Sequence, residues 1–139
     1  MQIREISLKE LETVYSVVKE LYTELSYEVF EDRIYDMRHM EYKMMGIFQR
    51  ESLVCYAGVA IETSLEYGRS LSVYDFVTKR EFQKQGYAHM MLDYLEDYAK
   101  MAACEQLLLR SSNSTMESMC KKTGFHKKNY IFLKNIKYN

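Results

Sequence analysis

Behind Ser7-Leu8-Lys9-Glu10, which has the form of a capping box, apolar residues recur at steps of three and four: Leu11, Val14, Tyr15, Val18, Leu21, Tyr22 and Leu25. That spacing predicts an amphipathic helix from about residue 8 to residue 25. Ile3 to Ile6 before it reads as a short first strand. Phe30, Ile34, Met37 and Met44 carry a weaker helical period, and Glu28, Glu31, Asp32 and Asp36 crowd its start, where the helix dipole favours carboxylates. From Gly46 the period changes from helical to extended. Ile47 to Arg50, Leu53 to Thr63 and Leu71 to Thr78 are rich in β-branched and aromatic residues. They are separated by Glu51-Ser52 and Glu66-Tyr67-Gly68-Arg69, so they predict an antiparallel meander.

Ala88, Met91, Leu92, Leu95, Ala99 and Ala102 then mark a long helix over about 86–103, and Leu107-Leu108-Leu109 a buried strand after it. Strand, helix, strand implies a parallel crossover. Ser114-Thr115-Met116-Glu117 is a second capping box, opening a short helix that ends at Gly124. Tyr130, Phe132 and Ile136 alternate with polar positions in a last strand, whose other face Ile131 and Leu133 can pack. The expectation is one α+β domain over residues 1–139. Its mixed, mostly antiparallel central sheet has six to seven strands and is flanked by about four helices. Apolar residues on both faces of Leu53 to Ile61 and of Tyr130 to Ile136 suggest a homodimer through the third or the last strand.

Composition narrows the function. The chain has 139 residues, 47% of them hydrophobic and 28% charged, with no proline, which excludes disordered and collagen-like architectures. Nineteen Lys and Arg against twenty Asp and Glu give a net charge of −1, so there is no global positive field for nucleic acid or anionic lipid. No stretch approaches the roughly 18 apolar residues of a membrane span, and the charged N-terminus lacks a signal peptide's apolar run, so the expected location is cytoplasmic. Cys55, Cys104 and Cys120 are far apart, and His39, His89 and His126 are scattered, so neither a metal site nor a disulfide framework is expected.

Candidate chemistry concentrates in Lys79-Arg80-Glu81-Phe82-Gln83-Lys84-Gln85-Gly86-Tyr87-Ala88, a turn between a strand and a helix N-terminus. Unpaired N–H groups and partial positive charge make such a turn an anion cradle, and Gly86 permits close backbone approach. Gln83 to Ala88 resembles the Q/R-x-x-G-x-G/A signature of the GNAT superfamily of acyl-CoA-dependent N-acetyltransferases. Asn113, a short helix and Gly124-Phe125 resemble a second block of that family, N-x-x-A-x-x-x-Y-x-x-x-G-F, and the element order is similar from the first strand to the last.

The resemblance implies that Gln83, Lys84, Gln85, Gly86, Tyr87 and Ala88 bind the pyrophosphate of acetyl-CoA through backbone amides. It further implies that Phe76, Val77 and Thr78 pair with the pantetheine arm, and that Asn113 contacts the same substrate. No metal is implied, and the acceptor would be a primary amine of a small molecule or peptide. The tyrosine that family members use as general acid falls at Cys120, and the preceding alanine at Met116. Cys120 is thus either a proton donor to the departing thiolate or a packing residue. If it has lost the acid role, the chain would be a non-catalytic acyl-CoA-binding module. Glu62 and Asp75, the carboxylates on the central strands, are both candidates for the general base. Asp75 interrupts the apolar series Leu71, Val73, Val77. Tyr22, Tyr27, Tyr35 and Tyr74 could line an acceptor cleft beside the acidic residues of the second helix.

Overall fold

The computed structural model describes residues 1–110, 114–128 and 131–138. Five strands form one sheet in sequence order: β1 (Gln2–Ile6), β2 (Lys43–Gln49), β3 (Ser52–Ser64), β4 (Gly68–Thr78) and β5 (Gln106–Leu109). The first four are antiparallel and β5 joins β4 in parallel, through the crossover that the long helix predicted. Among the described residues four α-helices, α1 (Leu11–Val18), α2 (Tyr27–Met37), α3 (Tyr87–Met101) and α4 (Ser114–Lys122), accompany the sheet.

The sheet divides two cores. On one face Met91, Leu92, Leu95 and Ala99 of α3 pack on Met45, Ile47, Val59, Leu71, Val73 and Phe76. On the other, Leu11, Val14, Val17 and Val18 of α1, with Phe30 and Ile34 of α2, cover Met44, Phe48, Leu53, Tyr56 and Val77. β3 lies at the centre of the sheet, so its apolar residues on both faces are consumed by these two cores. They give no ground for a subunit contact.

Three expectations are corrected. The sheet has five strands among the described residues, not six to seven: residues 131–138 form no strand, and Ile131, Phe132, Leu133 and Ile136 are exposed. Alternation measures only the fit to a pleated surface, whereas a strand also needs a partner edge, and β5 pairs over four residues with β4 alone. Tyr130 lies outside the described residues. The first helix also ends at Val18, well before residue 25. The next turn is closed instead by Leu21 and Tyr22 N–H groups on the Val18 carbonyl and by the Tyr15 hydroxyl on the Leu25 carbonyl, 2.7 Å. Finally, Met44 belongs to β2 and not to the second helix.

Local signals hold where the chemistry is explicit. Ser7 and Glu10 form the capping box, and Ser26 caps α2 by accepting from the Val29 N–H. α4 ends at Lys122 and the chain turns at Gly124, which takes φ +94° while the Phe125 N–H returns to the Cys120 carbonyl. Glu10 also accepts two hydrogen bonds from Arg4, at 2.7 and 3.1 Å, and these with the Ser7 N–H pull its carboxyl down to about 2. A folded-state value below the ordinary one stabilises the fold above the ordinary range, and the effect is lost as pH falls through about 2. The pair is about one-third exposed, so Glu10→Gln is expected to cost only on the order of 1 kcal/mol at neutral pH. Thermal melts of both proteins should differ at pH 7 and converge near pH 2.

Candidate active site

β4 positions the site because its two edges differ. One edge pairs with β3 along its whole length, down to Cys55 opposite Thr78. The other pairs with β5 only from Ser70 to Val73, after which the Arg110 N–H closes on the Val73 carbonyl and the chains part. From Tyr74 onward that second edge of β4 has no strand beside it among the described residues. Phe76 and Val77 are buried and Thr78 half-buried along this segment, and the Thr78 carbonyl accepts from the Gln83 side chain at 3.1 Å. An extended molecule can lie along this edge as an added strand does.

The open edge leads to the turn before α3. A 3-10 turn at Arg80–Phe82 is followed by Lys84 at φ +64° and Gly86 at φ +89°, the residue that caps α3. None of the backbone N–H groups from Lys84 to Ala88 has an acceptor among the described residues; the first helical bond runs from Met90 to Gly86. A Cβ placed on Gly86 would meet nothing within 4 Å, so the turn is open on that side of the glycine. The turn is also braced. The Arg80 N–H donates to Glu20 at 2.7 Å, Phe82 packs edge-on against Tyr87, and the Tyr87 hydroxyl accepts from Gln49 at 2.8 Å. Five N–H groups without an acceptor among the described residues, at a helix N-terminus, are the donors an anion could use there. Gln83 to Ala88 thus lie together in this one turn, whereas Asn113 lies outside the described residues.

The two carboxylates fall into separate clusters. Glu62 accepts from Ser72 at 2.5 Å, from Tyr74 at 2.8 Å and from Arg110 at 2.8 Å. Burial opposes its ionisation, but these three donors outweigh burial and hold the carboxyl below its usual value. Asp75 accepts from the Tyr22 hydroxyl at 2.5 Å and the Tyr42 hydroxyl at 2.6 Å. Tyr42 gives its one proton to Asp75, so the Tyr56 hydroxyl, 2.7 Å away, donates to Tyr42. Burial first, then the neighbouring oxygens, pushes the Tyr42 phenol well above its ordinary value, and burial raises Tyr56 likewise. Both phenols thus stay protonated and keep donating.

Asp75 reaches this position through a bulge. Gly58 stands opposite Asp75 and Val59 opposite Val73, leaving Tyr74 without a partner. The extra residue turns Asp75 away from the face of Leu71, Val73 and Phe76, so it interrupts no apolar series there. It sits instead in a cavity of about 770 Å³ between α2, the segment after α1, and the centre of β3 and β4. Tyr22 lines this cavity as the sequence suggested. Tyr27 packs on Tyr15 and Phe30, Tyr35 lies by Arg38, and Tyr74 serves Glu62. The acidic residues of α2 do not line it either. Tyr42 and Tyr56 do, and neither stood out in the sequence. The available signal was Gly58, a lone glycine inside a strand. A Cβ there would collide with the Tyr42 hydroxyl, so only glycine lets that phenol cross β3 to Asp75.

Cys120 is buried on α4, and burial, then Glu117, raises its thiol above the ordinary value. Met116 and Met119 of the same helix pack against the α3 core. Among the described residues, no group of three or more His, Cys, Asp or Glu side chains is placed to hold a metal ion, and no helix is long and apolar enough to cross a membrane.

The parting of β4 from β5, the glycine-containing turn before α3 and the cavity around Asp75 are the features in which a CoA-dependent acyltransferase of the family resembled in sequence would hold its substrates. The family model for the acetyltransferase (GNAT) domain matches residues 6–136, and the chain belongs to that family. It is 27% identical over 126 residues to the uncharacterized N-acetyltransferase YhdJ of Bacillus subtilis (strain 168), covering 88% of this chain and 89% of that one. Among solved structures it resembles aminoglycoside N-acetyltransferase AAC(6')-Iy in complex with CoA, with TM-score 0.83, 11% identity and coverage of 99% and 95%. It also resembles the ribosomal-protein-alanine N-acetyltransferase of Brucella melitensis biovar Abortus 2308, with TM-score 0.82, 12% identity and coverage of 98% and 100%. At such identities these two likenesses establish the fold.

Proposed function

We propose that this acetyltransferase moves the acetyl group of acetyl-CoA directly onto a primary amine held at Asp75. The observation that carries the reading is the open edge of β4, which runs from the turn before α3 to the cavity containing Asp75. Both substrates would meet there in a ternary complex, where proximity supplies much of the catalysis. The bound ammonium first releases one proton to water; the neutral amine nitrogen then attacks the thioester carbonyl, a C–N bond forms, the C–S bond breaks, the nitrogen loses a second proton and the thiolate gains one.

Asp75 suits the proton that the nitrogen loses after attack. Two phenols fix its carboxylate, and it retains lone pairs for an ammonium. Once the C–N bond has formed, the nitrogen is far more acidic and Asp75 can take its proton. Glu62 is unsuited, because Ser72, Tyr74 and Arg110 occupy both oxygens and favour its ionised form. For the proton that the thiolate gains we assign Cys120, whose raised thiol remains protonated at neutral pH. The three free cysteines accord with a reducing, cytoplasmic setting.

Release of CoA thiol from acetyl-CoA, measured with and without a panel of amines, tests the reading; no amine-dependent release would overturn it. Cys120→Ala is expected to lower turnover by roughly 10²-fold while leaving acetyl-CoA affinity unchanged. Equal turnover with chemistry rate-limiting would remove Cys120 from the mechanism.

A further inference from the structure

The cavity around Asp75 is chemically lopsided. Val18, Leu25, Val29, Phe30, Ile34 and Met37 supply an apolar wall, Thr23 and Ser26 add two hydroxyls, and Tyr22, Tyr42 and Tyr56 form one hydrogen-bonded group with Asp75. Two further charges, Glu24 and Arg33, are exposed, of opposite sign, and without an ion-pair partner among the described residues. Both lie on the exposed part of the lining, whereas Asp75 is half-buried and hydrogen-bonded to Tyr22 and Tyr42, so Asp75 is the charge that an ammonium buried in the cavity meets. Its volume, about 770 Å³, exceeds what a bare amine needs and suits a body of drug-like size.

Resting on the reading of this cavity as the acceptor site, we propose that the acceptor is a monoamine with an apolar alkyl or arylalkyl body. Its single ammonium lies at Asp75 and its body against the α2 wall. A second ammonium laid on Val29, Phe30, Ile34 and Met37 would lose its hydration against apolar side chains, on a helix whose lining charge is the cationic Arg33. A peptide backbone would likewise leave amide groups facing Val29, Ile34 and Met37. Polycations and peptides are therefore poor acceptors, while each methylene laid on the wall gains affinity.

The test compares phenylethylamine, spermidine, kanamycin and a short peptide as acceptors with acetyl-CoA. In parallel, their binding to the CoA-saturated protein is measured by calorimetry. Phenylethylamine should exceed the others in kcat/KM by roughly tenfold or more. Val29 is 41% exposed, so replacing it does not threaten the core. Val29→Asp should cut phenylethylamine use by roughly tenfold and raise that of spermidine, whereas Val29→Leu should retain the order. If spermidine, kanamycin or the peptide is preferred, or Val29→Asp leaves the order unchanged, the inference is overturned while acetyl transfer stands. If phenylethylamine binds best but no amine is acetylated, the inference holds and the acetyl-transfer reading falls.

Discussion

Gly86→Glu is expected to abolish acetyl-CoA binding, weakening it by roughly 10²-fold or more, because a carboxylate would be added on the open side of the turn that carries the Lys84 to Ala88 amides. The position is doubly sensitive. Gly86 holds φ +89°, where an L-residue is strained by roughly 1–2 kcal/mol, so the variant should also melt at a lower temperature. Gly86→Asn separates the two effects, since asparagine tolerates the left-handed region and brings no charge. It should bind acetyl-CoA more weakly than wild type but clearly better than the glutamate variant. Calorimetric titration of the folded proteins decides the matter. Unchanged affinity in Gly86→Glu would remove this turn from the CoA site, and equal losses in both variants would assign the effect to backbone geometry alone.

Why this turn was legible in the sequence, and the acceptor cavity was not, has a physical explanation. The turn is made by the backbone of consecutive residues, and its requirements are local: a strand, a glycine at positive φ, a helix start. Six adjacent letters carry all of them. The helices and the meander were legible for the same reason, because capping boxes and periodic burial are short-range properties. The cavity is assembled from Tyr22, Phe30, Tyr42, Tyr56 and Asp75, which lie on five separate segments. Its key event is the bulge opposite Gly58, which changes the face of every β4 residue beyond Val73. Strict alternation therefore put Asp75 among Leu71, Val73 and Val77. The shortened first helix has a related cause. Its residues 21 and 25 are still partly buried, but through a turn whose shape is fixed by Tyr15 and by contact with Arg80, not by helical period. The missing sixth strand shows the reverse case, since a good local pattern found no edge to pair with among the described residues.

Asp75→Asn is expected to lower kcat by roughly 10²- to 10³-fold with acetyl-CoA affinity unchanged, since the carboxylate is asked both to hold the amine and to take the proton that the nitrogen loses once the C–N bond has formed. Removing the charge should also raise the KM of the amine. A structural contribution must be separated from this. The carboxylate satisfies Tyr22 and Tyr42, and an amide can accept from only one of them while turning its NH2 toward the other, so some stability will be lost as well. Tyr42→Phe provides the comparison: it removes one donor, leaves Tyr56 without its acceptor, and keeps the carboxylate. If Asp75 acts only as a structural acceptor, the two variants should lose comparable stability and comparable activity. If Asp75 acts on the amine, Tyr42→Phe should retain most of kcat, because the carboxylate and its Tyr22 donor remain. Asp75→Glu, which keeps the charge but displaces it, should recover part of the loss. Full turnover in a folded Asp75→Asn protein would exclude the carboxylate from the chemistry and leave water as the proton acceptor.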